Sequence, residues 1–122
     1  MDAAHSQKEK MTEIQGIDLA TGKPIFYKEL GNQTINIGEF LAIVEAAKYI
    51  IANDYEPKVI FSDSNTGIAW FRNKMTASGK RNKMLQKAEA YLRIASFWVD
   101  RIKVIKWDNK AYGEIPADFG NK

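Results

Sequence analysis

The sequence predicts an α/β chain built on a mixed sheet, and three observations carry that expectation. Val59-Ile60-Phe61 is a short, wholly apolar run, the pattern of a parallel strand buried on both faces. Phe40, Ile43, Val44, Ala47, Ile50 and Ile51 recur at helical spacing, so about 37–53 reads as a helix with one buried face. Upstream, the turn signal Ala20-Thr21-Gly22-Lys23 separates two strand-like segments, which makes a hairpin.

The elements follow in order. Residues 1–10 are polar and carry little pattern. Ile14, Ile17 and Leu19 mark the first hairpin strand, and Pro24-Ile25-Phe26-Tyr27-Lys28-Glu29-Leu30 the second. Gly31-Asn32-Gln33-Thr34 is a loop, and Asn36 is placed to cap the long helix. Asn53-Asp54-Tyr55-Glu56-Pro57 ends that helix. After the buried strand, Ser64 or Asn65 opens another helix that runs through Trp70 to about Met75. Ala77-Ser78-Gly79 breaks the pattern, and Met84, Leu85, Ala88, Leu92 and Ala95 then mark a helix over about 81–97. Ile102-Lys103-Val104-Ile105-Lys106-Trp107 is the last strand, followed by the loop Asp108-Asn109-Lys110 and a short helix near Asp118. Trp70, Trp98 and Trp107 all sit in apolar-periodic context and are expected in the core.

Composition narrows the function classes. The length, 122 residues, favours a single domain over 1–122, and 45% hydrophobic content suffices for a core. The absence of cysteine excludes disulfides, thiolate metal sites and a thiol nucleophile. The single histidine, His5, cannot build a multi-histidine zinc centre. No apolar run approaches the roughly 18 residues of a membrane span, and the start lacks a basic region followed by an apolar stretch. A cytoplasmic protein without membrane partners is the default expectation. A net charge of +3 and a pI near 9.1 hint at a polyanionic partner.

Asp63 follows the apolar run directly, so it leaves the carboxyl end of a buried strand, where sites in α/β sheets gather. Glu39 falls in the first turn of the long helix, where the helix dipole tolerates negative charge. Asp2 and Asp118 stand near the two ends of the chain. Each acid has a plain structural reading: Glu39 as a helix-start glutamate, Asp63 as a helix cap, Asp118 as a surface acid. Jointly, four carboxylates from four elements suit the binding of two divalent ions that cleave a phosphodiester.

The text around these acids resembles the ribonuclease HI family. Thr34-Ile35-Asn36-Ile37-Gly38-Glu39-Phe40-Leu41-Ala42 looks like the family's second acidic motif, and Phe61-Ser62-Asp63-Ser64-Asn65-Thr66-Gly67-Ile68-Ala69-Trp70 like its third. Lys106-Trp107 and Tyr112-Gly113-Glu114-Ile115-Pro116-Ala117-Asp118-Phe119-Gly120 resemble the ending of a bacterial branch with a short C-terminus. The resemblance implies a ribonuclease H-like fold: a mixed five-stranded sheet with helices on both faces. Here the first strand is cut short, because only Met1 precedes Asp2 where the family has apolar residues. It also implies that Asp2, Glu39, Asp63 and Asp118 are the catalytic acids and ligate two Mg²⁺ (or Mn²⁺) ions. The implied activity is endonucleolytic hydrolysis of the RNA strand of RNA–DNA hybrids, with the 2′-hydroxyl read in the minor groove.

The resemblance further implies that Thr34 holds a DNA phosphate and that Asn36 contacts the nucleic acid. Arg72, Lys74, Lys80, Arg81, Lys83 and Lys87 form a run without an intervening acid, read either as a duplex backbone contact or as a solvated corner between helices. Three departures stand out. Ala3-Ala4-His5-Ser6-Gln7-Lys8-Glu9-Lys10 replaces the family's small residues and glycine after the first aspartate, Ile35 stands where an asparagine is usual, and no histidine lies on the loop before Asp118. The departures leave an alternative from another class: a ribonuclease H-like nucleic-acid-binding domain with weakened catalysis. A transposase-like nuclease of the same fold is disfavoured by the ending and the small size. Monomer and dimer both stay open.

Overall fold

The computed structural model describes residues 1–8, 11–18, 21–31, 33–76 and 83–107, with the backbone alone at residues 2 and 5–8. The elements run β1 (Asp2–Lys8), β2 (Met11–Ile17), β3 (Pro24–Glu29), α1 (Ile35–Asn53), β4 (Val59–Ser62), α2 (Asn65–Asn73), α3 (Lys83–Ile94), α4 (Ser96–Val99) and β5 (Lys103–Lys106). The five strands form one mixed sheet in the order β3-β2-β1-β4-β5. β1, β2 and β3 are antiparallel neighbours, whereas β4 runs parallel to both β1 and β5.

The polar start of the chain is the largest difference from the sequence reading. Residues 2–8 form the central strand, paired with β2 from Asp2↔Ile17 to Lys8↔Met11. Only Met1 precedes the acid, as expected, but the strand takes its length from the downstream side. Its upstream end leaves no gap among its neighbours. The Met1 amine donates to the Val59 carbonyl at 3.2 Å, and the Phe61 N–H donates to the Met1 carbonyl at 2.9 Å. These two bonds set Met1 level with Ile60, one residue into β4.

Local chemistry explains the remaining elements. Phe26 lies opposite Gly16 in the β2–β3 ladder, and its ring fills the space that a side chain at Gly16 would need. α1 starts two residues earlier than expected. Thr34, not Asn36, is its N-cap: the Thr34 hydroxyl accepts from the Ile37 N–H at 3.3 Å. The left-handed Asp54 closes α1, donating its N–H to the Ile50 carbonyl. The helix expected over about 81–97 is divided, since α3 ends at Ile94 and α4 begins at Ser96. Trp98, expected in the core, is 53% exposed. Buried Glu89 of α3 accepts from both the N–H and the hydroxyl of Thr76, at 2.8 and 2.9 Å, which ties the end of the α2 segment to α3.

The main core lies on one face of the sheet. Ala3, Ile14, Ile60 and Val104 meet Phe40, Ile43 and Ile50 of α1, Trp70 and Phe71 of α2, Leu85 and Leu92 of α3, and Val99 of α4. The second face carries a smaller cluster, Ala4 and Ile17 with Phe61 and Trp107 packed against it. Among the described residues no helix joins that second cluster. The short helix expected near Asp118, and with it the covering of this face, lies outside the described residues.

Candidate active site

Asp63 sits just past the carboxyl end of β4, the strand flanked by β1 and β5. Its plain reading as a helix cap is overturned. Ser64 is the N-cap of α2, its hydroxyl accepting from the Gly67 N–H at 2.9 Å, so the Asp63 carboxylate is not spent on capping. The main chain at this point is held on three sides. The Ser64 N–H donates to the Ser62 hydroxyl at 3.1 Å, the Trp107 N–H donates to the Ser62 carbonyl at 2.8 Å, and the Lys106 ammonium donates to the Asp63 carbonyl. Lys106 thus puts a positive charge beside the strand end that carries the acid. The sequence marked Lys106 only within the last strand and the ending that carries the resemblance, not as a partner of Asp63.

Glu39 falls in the second turn of α1 rather than the first, because the helix begins at Ile35. Its Oε2 is sealed from solvent. Gly67 brings α2 against this turn: a Cβ at Gly67 would stand 3.4 Å from the Glu39 carbonyl carbon and 3.1 Å from both Ile43 Cδ1 and Ser64 Oγ. The glycine therefore links the two acids, because the turn that starts beside Asp63 touches the turn that carries Glu39. Asp2 joins them through the sheet, its backbone paired with Phe61 two residues before Asp63. Three of the four acids predicted from sequence thus come from elements that meet at one end of the sheet. The side chain of Asp2 and the whole of Asp118 lie outside what is described. Among the described residues no group of three acidic or histidine side chains is gathered to hold a metal. The donors available at Glu39 and Asp63 are carboxylate oxygens, which fit Mg²⁺ or Mn²⁺ and not a soft metal.

The predicted nucleic-acid contacts divide. Thr34 and Asn36 are exposed at the start of α1, beside Ile35, which is 61% exposed. Lys83 is exposed at the start of α3. Arg72 and Lys74 lie at the far end of α2 from Asp63 and are bonded within the chain. The Arg72 guanidinium donates to the Val104 carbonyl at 2.8 Å, and the Lys74 ammonium pairs with Asp100 at 2.6 Å. Lys80 and Arg81 lie outside the described residues. Trp70 is core, set edge-on to Phe40 with centroids 5.9 Å apart, and Trp107 stacks edge-on to Phe61 at 5.7 Å.

No protein-family model matches the chain. Solved structures do. LC11-RNase H1 in complex with an RNA/DNA hybrid superposes with a TM-score of 0.59 at 12% identity, over 90% of this chain and 85% of that one. The chain has the ribonuclease H fold. An N-terminal RNase H domain from Mycobacterium tuberculosis, solved as a fusion with maltose-binding protein, gives a TM-score of 0.51 at 10% identity, over 93% and 91% of the two chains. The ribonuclease H fold of this chain also matches part of the prototype foamy virus protease–reverse transcriptase. That match has a TM-score of 0.53 at 16% identity and covers 96% of this chain and 18% of the viral one. Among the described residues no helix of this ribonuclease H fold is long and apolar enough to cross a membrane.

Proposed function

We propose that this chain is a ribonuclease H: a divalent-metal-dependent endonuclease that hydrolyses the RNA strand of RNA–DNA hybrids. The observation that carries the reading is the close approach, at Gly67, of the helix that follows Asp63 to the turn that carries Glu39, on a ribonuclease H fold, at the sheet end where Asp2 pairs with β4. The crystallised hybrid complex of LC11-RNase H1 supports the choice of substrate class.

The roles follow from chemistry. Asp2, Glu39, Asp63 and Asp118 would supply the oxygen ligands, and Mg²⁺ or Mn²⁺ bound by them supplies an activated water and stabilises the leaving 3′ oxygen. Lys106 holds the main chain at Asp63, so the carboxylate starts from a fixed base. Thr34 accepts from Ile37 through its hydroxyl oxygen, which leaves the hydroxyl hydrogen to donate to a DNA phosphate. The start of a 19-residue helix suits that anion, and Asn36 sits on the same turn. Lys80, Arg81 and Lys83 add phosphate contacts without sequence preference. Arg72 and Lys74 lie at the far end of α2 from Asp63, bonded to Val104 and Asp100, so the reading does not lean on them.

One hydrolysis assay tests the reading, with labelled RNA–DNA hybrid, RNA duplex and DNA duplex in Mg²⁺, in Mn²⁺ and in EDTA. Products from the RNA strand of the hybrid alone, abolished by EDTA, are expected. Cleavage of all three duplexes, or cleavage that survives EDTA, would overturn it. Hybrid binding without products would instead favour the binding domain with weakened catalysis.

A further inference from the structure

Among the described residues β5 forms one edge of the sheet, and its outer side has specific chemistry. The Lys103 N–H donates to the Lys58 carbonyl at 3.0 Å and the Trp107 N–H to the Ser62 carbonyl at 2.8 Å. Odd-numbered residues therefore face β4, and Val104 and Lys106 turn their N–H and C=O groups outward. Among the described residues one group reaches that edge: the Arg72 guanidinium, on the Val104 carbonyl. Beside the edge runs a groove of about 380 Å³ between α2, the end of α4 and β5. Its floor is apolar, with Phe71, Val99 and Val104, and its rim carries Arg72, Lys74 and Lys103 against a single acid, Asp100.

We propose that this edge and groove form a docking site for an extended, acidic peptide segment, added to the sheet as a further strand beside β5. A free sheet edge supplies main-chain donors and acceptors to an added strand, and the adjoining groove takes its alternate side chains. The rim has three cations to one anion, which selects carboxylates on the incoming segment. Arg72 is placed to exchange partners. A peptide N–H takes over the Val104 carbonyl, and the released guanidinium pairs with a peptide carboxylate, a stronger bond than the one it gave up. A second copy of β5 is a poor occupant. Pairing there would bring the exposed Lys103 and Lys106 of a second copy to an edge whose rim already carries Arg72, Lys74 and Lys103. The groove stands at the opposite end of α2 from Asp63, while the edge runs on to Lys106 beside the Asp63 carbonyl, and binding there does not depend on the proposed hydrolysis.

The test uses the full chain and a fluorescein-labelled peptide of alternating Glu and Val, about eight residues long, the span of a typical added strand. A peptide with Lys in place of Glu is the control. Fluorescence anisotropy should show binding of the acidic peptide and none of the basic one. Amide hydrogen exchange should slow at Val104 and Lys106 on binding and stay unchanged at Ile105. Arg72→Ala should weaken binding about tenfold, the loss of one charge-assisted bond. Lys103→Glu, at an exposed position that leaves the Val104 contact in place, should weaken it in the same direction even if Arg72→Ala folds poorly. The proposal fails if neither peptide binds or if both bind alike. It fails equally if Arg72→Ala strengthens binding or drives concentration-dependent self-association, because Arg72 would then only shield the edge.

Discussion

At Asp63 the main chain and the side chain have separate duties. Ser62, Ser64, Trp107 and Lys106 fix the backbone, and Ser64 relieves the carboxylate of capping α2. Asp63→Asn keeps the shape and removes one negative charge, so the fold should survive while hydrolysis of a hybrid falls about a hundredfold or more at saturating Mg²⁺. Activity near that of the parent chain would remove Asp63 from the site. Gly67 offers a finer probe. Gly→Ala in a helix normally stabilises by about 1 kcal/mol. Here the added methyl meets Ile43, Ser64 and the backbone of Glu39 at 3.1–3.4 Å, and something must give by a few tenths of an ångström. We expect the stabilisation to be lost and the Mg²⁺ concentration for half-maximal activity to rise about three- to tenfold, because small displacements of catalytic groups are costly. A raised melting temperature with an unchanged Mg²⁺ requirement would show that Glu39 does not depend on that contact.

Among the elements, the β2–β3 hairpin carries the clearest electrostatic signature. The Tyr27 hydroxyl donates to the Glu13 carboxylate across the strands, and that bond, with the charges of Glu13 and Glu29, pushes the phenol up to about 12 from its ordinary 10. A folded-state value above the unfolded one means that the bond stabilises fully below pH 10 and is lost as pH rises from 10 through about 12. Absorbance titration of the phenolates should resolve a tyrosine that ionises near 12, absent in Tyr27→Phe and shifted back toward 10 in Glu13→Gln, beside Tyr91, which burial and the charge of Glu45 also raise. A late component left unchanged in size by Tyr27→Phe would place the effect elsewhere. The legible elements share one property, that a single periodicity set their burial. β4 reads from Val59-Ile60-Phe61 because Ile60 joins the main core and Phe61 packs in the cluster on the other face, and α1 reads from its 3.6-residue stripe. β1 did not read, because its place in the sheet rests on pairing with β2, a long-range property that leaves only Ala3 and Ala4 as apolar marks within the strand. Trp98 sat in helical period with α3, but the break at Ala95 separates α4 and turns its aromatic residues outward. The site was legible only in part. Twenty-four positions separate Glu39 from Asp63 and no spacing rule joins them; their meeting depends on Gly67, whose contacts exist only in the folded chain.

Among the described residues the packing lies mainly on one face of the sheet, and the integrity of the site depends on that side. Residues of all four helices share the core on one face, with Phe40, Ile43, Ile60, Leu85 and Leu92 sealed from water. Phe40 is the joint between layers. It follows Glu39 on α1, is fully buried, and meets the Trp70 ring of α2 edge-on at 5.9 Å. Phe40→Ala removes a fully buried ring and leaves a cavity against the edge-on ring of Trp70. The cost should be about 3–5 kcal/mol. Against a net stability of roughly 5–15 kcal/mol for a domain, that is a large share, so the denaturation midpoint in urea should fall sharply while the slope stays constant. Phe40→Leu keeps most of the volume and should recover more than half of the loss. Glu39 rides on the same helical turn, so hydrolysis by Phe40→Ala should drop further than the folded fraction alone accounts for, and Phe40→Leu should restore both together. A cost below about 1 kcal/mol, the scale of a surface change, would mean that α1 and α2 are held together elsewhere. The meeting of Glu39 and Asp63 would then no longer follow from the core.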